Sequence, residues 1–311
     1  MYNKKHIKCI LEQLIETLKN KRKAYCIGHD QIDVDAFFAG LLSARLFNHL
    51  GFESEFIILQ PVTQSETYNL IKNFTDIEMK DYENTVEDNN RTLFLLDHYE
   101  TPHAGTVIGC IDHHPTLKEN TYLFSYIRHA TASTYMVYEL MQAANYPLTA
   151  EEAKYIVFAM LVDTVGFRSS KTISEEVAIA KQLAKQYSLD YELLEKASLC
   201  LTSINTMTTK EIVSNGLKKY NFNNHMIQSS YIQVYGIPTK EKIEEWIKYI
   251  KKAIVQENKP TVKMFVFIIF DLLESKTYEY KIYKDCFQEV IHEGILSRGQ
   301  DIMPRIEKEL N

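Results

Sequence analysis

Acidic and histidine side chains recur in this sequence at the ends of apolar runs. Each group follows a stretch that is typical of a buried strand or helix, so we expect the groups to emerge at one edge of a sheet. Histidine nitrogens mixed with carboxylate oxygens suit manganese, iron, cobalt or zinc, whereas magnesium and calcium prefer all-oxygen ligands. The pattern therefore predicts a metal site built from residues 28–35, 96–98, 111–115 and 161–164.

The number of ligand-type side chains indicates more than one ion. Two ions that share a bridging carboxylate need several anionic ligands, whereas one divalent ion does not. In an extended segment every second side chain points the same way, so one loop could present the histidine and both aspartates of the first group. The candidate ligands are His29, Asp33, Asp35, Asp97, His113 and Asp163.

A simpler interpretation exists for each residue taken alone. An aspartate after a strand is usually a helix cap or a turn residue, and a lone histidine is usually a satisfied polar side chain. Four such groups in one chain, each after an apolar run, are hard to explain as caps.

These residues carry a resemblance to a known family. Four features together resemble the DHH phosphoesterase superfamily: the Asp112-His113-His114 triplet, the upstream His-x-x-x-Asp-x-Asp, the lone Asp97 and the later Asp163. Within it, residues 96–100 are similar to the Asp-His-Asn-Glu element of the manganese-dependent family II inorganic pyrophosphatases. Residues 297–304 resemble their C-terminal Ser-Arg-Lys-Lys-Gln signature.

The resemblance implies a role for each candidate residue. Asp97 would bridge the two ions. The ions would be manganese, with cobalt or magnesium as alternatives. Asp112 and His98 would orient the liganding histidine or the bridging water, and His114 would face substrate or donate a proton, unless it is simply held by Asp112. One ion would be bound by His29, Asp33 and Asp97, and the other by Asp35, Asp97, His113 and Asp163.

The resemblance also implies cations that bind phosphate in the second half of the chain. Arg298 matches the family's arginine, and a guanidinium suits a terminal phosphoryl group. Lys218 is the candidate for the other phosphate-binding residue. Lys219 could serve instead, and the alternative for both is a solvated lysine pair.

The chain departs from the pyrophosphatase pattern at residues 299–301. Gly299-Gln300-Asp301 stands where the family carries Lys-Lys-Gln. Each charged hydrogen bond contributes about 1.5–3 kcal/mol, so two lost cations and one gained acid should weaken pyrophosphate binding. Ile32 and Tyr99 replace a proline and an asparagine of the family. The N-terminal helix resembles the phosphodiesterase branch, whose Gly-Gly-Gly-His motif the sequence lacks.

Length and composition set outer bounds on the function. The 311 residues are 45% hydrophobic and 24% charged, as in ordinary globular proteins of two domains. A net charge of −6 disfavours nonspecific binding to nucleic acid, since phosphates need a basic excess. No apolar run is long enough to span a membrane. Five scattered cysteines, mostly in apolar surroundings, predict buried free thiols and a cytoplasmic location.

The order of predicted elements indicates an α/β fold. Strands alternate with helices up to about residue 187, which predicts a doubly wound, mostly parallel sheet. We expect a helix at 209–219 and two or three strands in a smaller α+β domain, with the active site in the cleft between the domains. Residues 131–134 open a helix and form an anion site or, as we favour, a cap. The predicted domains are 1–190, with an amphipathic helix at 1–23, and 191–311.

Three functions remain open at this stage. The first is a manganese-dependent hydrolase of phosphoanhydride bonds in pyrophosphate or short polyphosphate, using a hydroxide activated by two metals. The second keeps the metal centre but acts on a nucleotide or another phosphoester. The third is a phosphate or nucleotide sensor without turnover. The expected partner is a small phosphate-containing substrate, and the resemblance implies a homodimer.

Overall fold

The structure is a computed structural model that describes residues 4–19, 21–63, 66–86, 88–115, 121–199, 201–202, 204–223, 225–256 and 262–310. The chain folds as two compact units. One comprises residues 1–167 and 171–198, and the other comprises residues 168–170 and 199–311. The helix at residues 191–198 therefore lies in the first unit, whereas we placed the domain boundary near residue 190.

A parallel sheet organises the first unit. Within the described residues it has five strands in the order β2-β1-β3-β4-β5, and every neighbouring pair is parallel. This confirms the predicted α/β class. The strands are β1 (Ala24–Ile27), β2 (Ser54–Phe56), β3 (Thr92–Leu96), β4 (Thr106–Asp112) and β5 (Phe124–Ile127).

Helices bury an apolar core against this sheet. Alternate residues of β3 point to opposite faces, so Phe94 and Leu96 join the helices' core while Leu93 and Leu95 pack on the other face. The helices are α1 (Lys4–Leu18), α2 (Val34–His49), α3 (Glu66–Phe74), α4 (Ser133–Ala143), α5 (Ala150–Asp163), α6 (Ser174–Gln186) and α7 (Tyr191–Ser198). Among the described helices none is long and apolar enough to cross a membrane.

The strand order places a switch point inside the sheet. The connection that follows β1 leads to β2 on one side, and the connection that follows β3 leads to β4 on the other, so the carboxyl ends of β1 and β3 open a crevice between them. Ligands of such sheets bind at this crevice. His29 follows β1 and Asp97 follows β3, so the first two predicted groups lie at the switch point.

The second unit contains a mixed sheet. Its described residues form five strands in the order β10-β9-β8-β7-β6, of which the β7–β8 pair is parallel and the others are antiparallel. The elements are α8 (Thr209–Val213), β6 (Lys218–Phe222), β7 (His225–Val234), α9 (Lys240–Gln256), β8 (Val262–Asp271), β9 (Lys276–Ile282), β10 (Phe287–Glu293) and α10 (Met303–Glu309).

Two expectations for the second unit are wrong. The helix predicted at 209–219 ends at Val213, because Gly216 adopts a left-handed backbone (φ +57°) and turns the chain into β6. Lys218 and Lys219 therefore lie on a strand. We also expected two or three strands, and the edge strand β10 was missed because it is solvated on both faces and has no apolar alternation.

The cysteines only partly match the prediction of buried thiols. Cys26 and Cys110 are buried in strands β1 and β4, but Cys9 and Cys286 are exposed, which corrects the expectation for those two. Cys200 lies outside the described residues, as do positions 1–3 and 20 of the predicted N-terminal helix.

Candidate metal centre

Asp33 combines the role of a helix cap with a position in the predicted site. Its Oδ1 accepts a hydrogen bond from the backbone N–H of Ala36 (3.0 Å), which caps α2. Its Oδ2 lies 3.3 Å from Nε2 of His29. The segment is not extended as we expected, because Asp35 already lies in the first turn of α2 and is 2% exposed. The helix start, rather than strand parity, brings the first group together.

Asp97 lies between the two histidines of the predicted centre. One carboxylate oxygen is 3.6 Å from Nε2 of His29, and the other is 3.3 Å from Nε2 of His113. Its backbone is left-handed (φ +66°), and its N–H donates to the carbonyl of Ile111 (2.8 Å). Such a conformation costs a residue other than glycine about 1–3 kcal/mol and is common at functional sites. The turn directs the buried carboxylate between the rings of His29 and His113.

His113 is fixed with one ring nitrogen toward the carboxylates. Its Nδ1 lies 3.0 Å from the carbonyl oxygen of Ala130, which makes Nδ1 the protonated nitrogen. Its Nε2 lies 3.6 Å from Oδ2 of Asp163 and 3.9 Å from Oδ2 of Asp35. A neutral imidazole held in this way presents a lone pair to a metal ion.

The N-terminus of α4 holds Asp35. The backbone N–H groups of Ser133 and Thr134 donate to its two carboxylate oxygens at 2.7 and 2.8 Å. The residue before the helix is Ala132, whose side chain cannot cap, so Asp35 supplies the capping carboxylate from α2. The anion that these amides bind is therefore a carboxylate of the protein itself. The preferred interpretation of residues 131–134 as a helix cap holds only with Asp35 as the capping residue.

The hydroxyl of Ser133 joins Asp97 to His113. It donates to Oδ1 of Asp97 (2.8 Å) and accepts from the backbone N–H of His113 (3.2 Å), and the side chain is fully buried. Farther out, Glu176 accepts from the backbone N–H of Thr131 (2.6 Å), which holds the loop before α4. Sequence reasoning placed Ser133 only in a helix cap or an anion site and did not connect it with Asp97 or His113.

Asp163, the last residue of α5, forms an ion pair that the sequence did not indicate. Its Oδ2 contacts Nζ of Lys171, which is 8% exposed. Burial alone would lower the pKa of Lys171, but the carboxylate of Asp163 more than offsets this and raises it. The ammonium therefore stays charged within the centre. A lysine eight residues after an aspartate matches no motif, so no sequence signal could have found it.

The remaining predicted residues of the first unit surround these ligands. Oδ1 of Asp112 accepts from both the backbone N–H and Nδ1 of His114 (3.0 and 2.9 Å), so Asp112 orients His114, while His113 is oriented by a carbonyl. Nδ1 of His98 lies 2.9 Å from the carbonyl of Leu96, and its ring stands edge-on to that of His29 at 6.3 Å. Burial lowers the pKa of His98 to about 4, so this ring is neutral.

The buried carboxylates repel one another. Burial and then the negative charge of Asp97 raise the pKa of Asp35 well above its usual value. Burial would also raise the pKa of Asp97, but His114 and the other two histidines lower it. Unpaired charges in a buried site are costly, and divalent cations would remove this repulsion.

The ligand atoms form overlapping groups of a size that fits metal ions. Within each group these atoms lie within 4.8 Å of one another. Mixed imidazole and carboxylate donors suit manganese or a similar transition metal, so the residues fit the ions that the sequence predicts. In the described chain the groups are His29–Asp33–Asp97, Asp35–His113–Asp163 and Asp97–His113–His114.

The predicted phosphate-binding residues lie in the second unit. Arg298 begins a π-helical turn (Arg298–Ile302), where its Nη1 donates to the carbonyl oxygens of Gly216 and Ser229 and its guanidinium lies 5.0 Å from the ring centre of Tyr231. Lys218 is half-buried on β6. Their contact with substrate remains a prediction.

Asp301 serves its own turn. Its Oδ2 accepts from the backbone N–H of Ser297 (2.7 Å) and from the hydroxyl of Ser170. These donors balance part of the negative charge that this departure from Lys-Lys-Gln introduces.

Known proteins with similar sequences are named as inorganic pyrophosphatases. A "probable manganese-dependent inorganic pyrophosphatase" of Lactobacillus acidophilus is 22% identical over 93% of this chain and 99% of that protein. The manganese-dependent inorganic pyrophosphatase of Bacillus subtilis is also 22% identical, over 91% and 97%. The chain resembles the family II inorganic pyrophosphatases. No protein-family model matches it.

The chain also has a fold similar to that of a solved structure. A Methanococcus jannaschii protein described as a "putative family II inorganic pyrophosphatase" superposes with a TM-score of 0.71, covering 92% of this chain and 98% of that one at 19% identity. The resemblance inferred from the sequence motifs is thereby confirmed.

Proposed function

We propose that this protein is a metal-dependent hydrolase of phosphoanhydride bonds that acts on inorganic pyrophosphate or short polyphosphate. The observation that carries the proposal is the convergence of six ligand-type side chains from four separate segments on the switch point of a parallel sheet. His29, Asp33 and Asp97 would hold one cation, and Asp35, Asp97, His113 and Asp163 the other.

Bound cations would supply a water of lowered pKa and would screen the charge of the attacked phosphate. The protein's own groups do the rest. Asp97 holds its carboxylate between the two histidines, and the carbonyl of Ala130 keeps the proton of His113 on Nδ1. His114, held by Asp112, is partly exposed and would contact substrate or deliver a proton to the leaving phosphate.

The names of the relatives support the metal and the substrate class. The Bacillus subtilis protein is named as a manganese-dependent inorganic pyrophosphatase, and its match extends over both units of this chain. The mixed nitrogen and oxygen donor set accords with manganese. We therefore propose manganese as the metal, with cobalt or magnesium as alternatives.

A second candidate is a phosphodiesterase or phosphatase acting on a nucleotide or another phosphoester. It is favoured by Gly299, which leaves room where the pyrophosphatase signature has a lysine, and by the engagement of Arg298 with backbone carbonyls. Both features reduce the positive charge available to a pyrophosphate tetra-anion.

One substrate panel tests these proposals. Phosphate release would be measured from pyrophosphate, tripolyphosphate and a small dinucleotide, each with and without manganese, for the wild type and for Gly299→Lys. For the dinucleotide, a coupling phosphatase would release phosphate from the mononucleotide product. We expect manganese-dependent release from the anhydrides and a gain for Gly299→Lys confined to pyrophosphate. Release from the dinucleotide alone would replace the first candidate by the second, and no turnover of any substrate would contradict both.

A further inference from the structure

The buried ammonium of Lys171 lies inside one of the two candidate cation groups. We infer that Lys171 lowers the cation affinity of the group formed by Asp35, His113 and Asp163, so that this group binds its ion more weakly than the group formed by His29, Asp33 and Asp97. The inference rests on the metal centre of the proposed function and adds a difference between its two halves that the ligand set alone does not give.

The first argument is that the ammonium and the cation compete for one ligand atom. Oδ2 of Asp163 lies 3.6 Å from Nε2 of His113, which marks it as the oxygen that faces the group, and Nζ of Lys171 contacts the same oxygen. A cation that binds there must share this oxygen or displace the ammonium. Either event lowers its net gain on binding.

The second argument is burial. The side chain of Lys171 is 10% exposed and that of Asp163 is 14% exposed, so water screens the pair weakly. A fixed positive charge this close repels any divalent ion in the same group. In the other group Asp97 is also buried, but the carboxylate of Asp33 is 43% exposed, so solvent screens the charge of Lys171 there more strongly than at Asp163.

The consequence is an ordered filling of the centre. The group formed by His29, Asp33 and Asp97 should bind its ion first. The group formed by Asp35, His113 and Asp163 should fill only at a higher concentration of metal. Lys171 thus sets the concentration of metal at which the second ion binds, without being a ligand itself.

The test is a manganese titration of the full-length protein, followed by isothermal calorimetry and by the electron paramagnetic resonance signal of free manganese. The variants are Lys171→Met, Lys171→Gln and Lys171→Arg. The control is Lys154→Met, which removes a lysine from an ion pair with Glu151 on the surface of α5 (3.6 Å). Circular dichroism and thermal unfolding verify the fold of each variant.

We expect two classes of site in the wild type that differ at least tenfold in Kd. Lys171→Met and Lys171→Gln should each tighten the weaker class at least tenfold and change the tighter class less than threefold. Lys171→Arg and Lys154→Met should behave as the wild type.

Two equal sites in the wild type, or a weaker class that stays unchanged in both neutral variants, would overturn the inference and leave the metal centre standing. Complete absence of manganese binding in the wild type would overturn the metal centre, and this inference with it.

Discussion

The hydroxyl of Ser133 offers a quantitative test of how the centre is held together. Ser133→Ala removes the donor to Oδ1 of Asp97 and the acceptor of the backbone N–H of His113. A hydrogen bond to a charged acceptor contributes about 1.5–3 kcal/mol, and a buried amide left without an acceptor costs about 1–3 kcal/mol. We therefore expect the free energy of unfolding of Ser133→Ala to be lower than that of the wild type by about 1–3 kcal/mol.

The same substitution should weaken metal binding. Partners that orient ligands typically contribute about 10–100-fold to metal affinity, and Ser133 orients one carboxylate and the backbone of one histidine. Manganese Kd values from calorimetry and unfolding by urea would be compared between the wild type and Ser133→Ala.

The matched control is Ser43→Ala. Ser43 is fully buried in α2, and no hydrogen-bond partner of its hydroxyl is found among the described residues. Its loss should leave manganese affinity unchanged. If Ser133→Ala bound manganese within twofold of the wild type, the reasoning that Ser133 fixes Asp97 and His113 for a cation would be refuted.

Three further predictions concern the metal and the core. Asp97→Asn should lower phosphate release by about a hundredfold or more, because it removes the charge between the two histidines; equal rates in a colorimetric phosphate assay would contradict this. Removal of manganese with a chelator should lower the free energy of unfolding by about 2.7 kcal/mol per site, compared with protein in manganese at a hundred times Kd; superimposable urea curves would rule out stabilisation by metal. Leu14→Ala should lower the free energy of unfolding in urea by about 2–5 kcal/mol, because Leu14 on α1 is fully buried in the core. Glu12→Ala should change it little, because Glu12 is exposed.

The sequence predicted the parts of the fold that bury apolar residues. Strand β3 (Thr92–Leu96) precedes one of the predicted ligand groups and is almost entirely apolar, as a central parallel strand buried on both faces should be. Strands β5 and β10 were not predicted, since an edge strand mixes polar and apolar residues without a clear period. The helix expected through Lys218 failed because its pattern continued across the left-handed Gly216.

The sequence likewise predicted only part of the candidate metal centre. The candidate ligands could be chosen from sequence because each stands at the end of an apolar element, where a parallel sheet collects its ligands. The contacts of Ser133 with Asp97 and of the α4 amides with Asp35 join residues 36 to 99 positions apart, for which the sequence offers no local signal. Lys171 lies only eight positions after Asp163 and was missed because that spacing matches no motif.

Anomalous scattering from crystals grown in manganese tests the central claim most directly. At saturating manganese we predict two peaks per chain at coordination distance, one among His29, Asp33 and Asp97 and the other among Asp35, His113 and Asp163. A difference map without a peak within reach of either histidine would contradict the account.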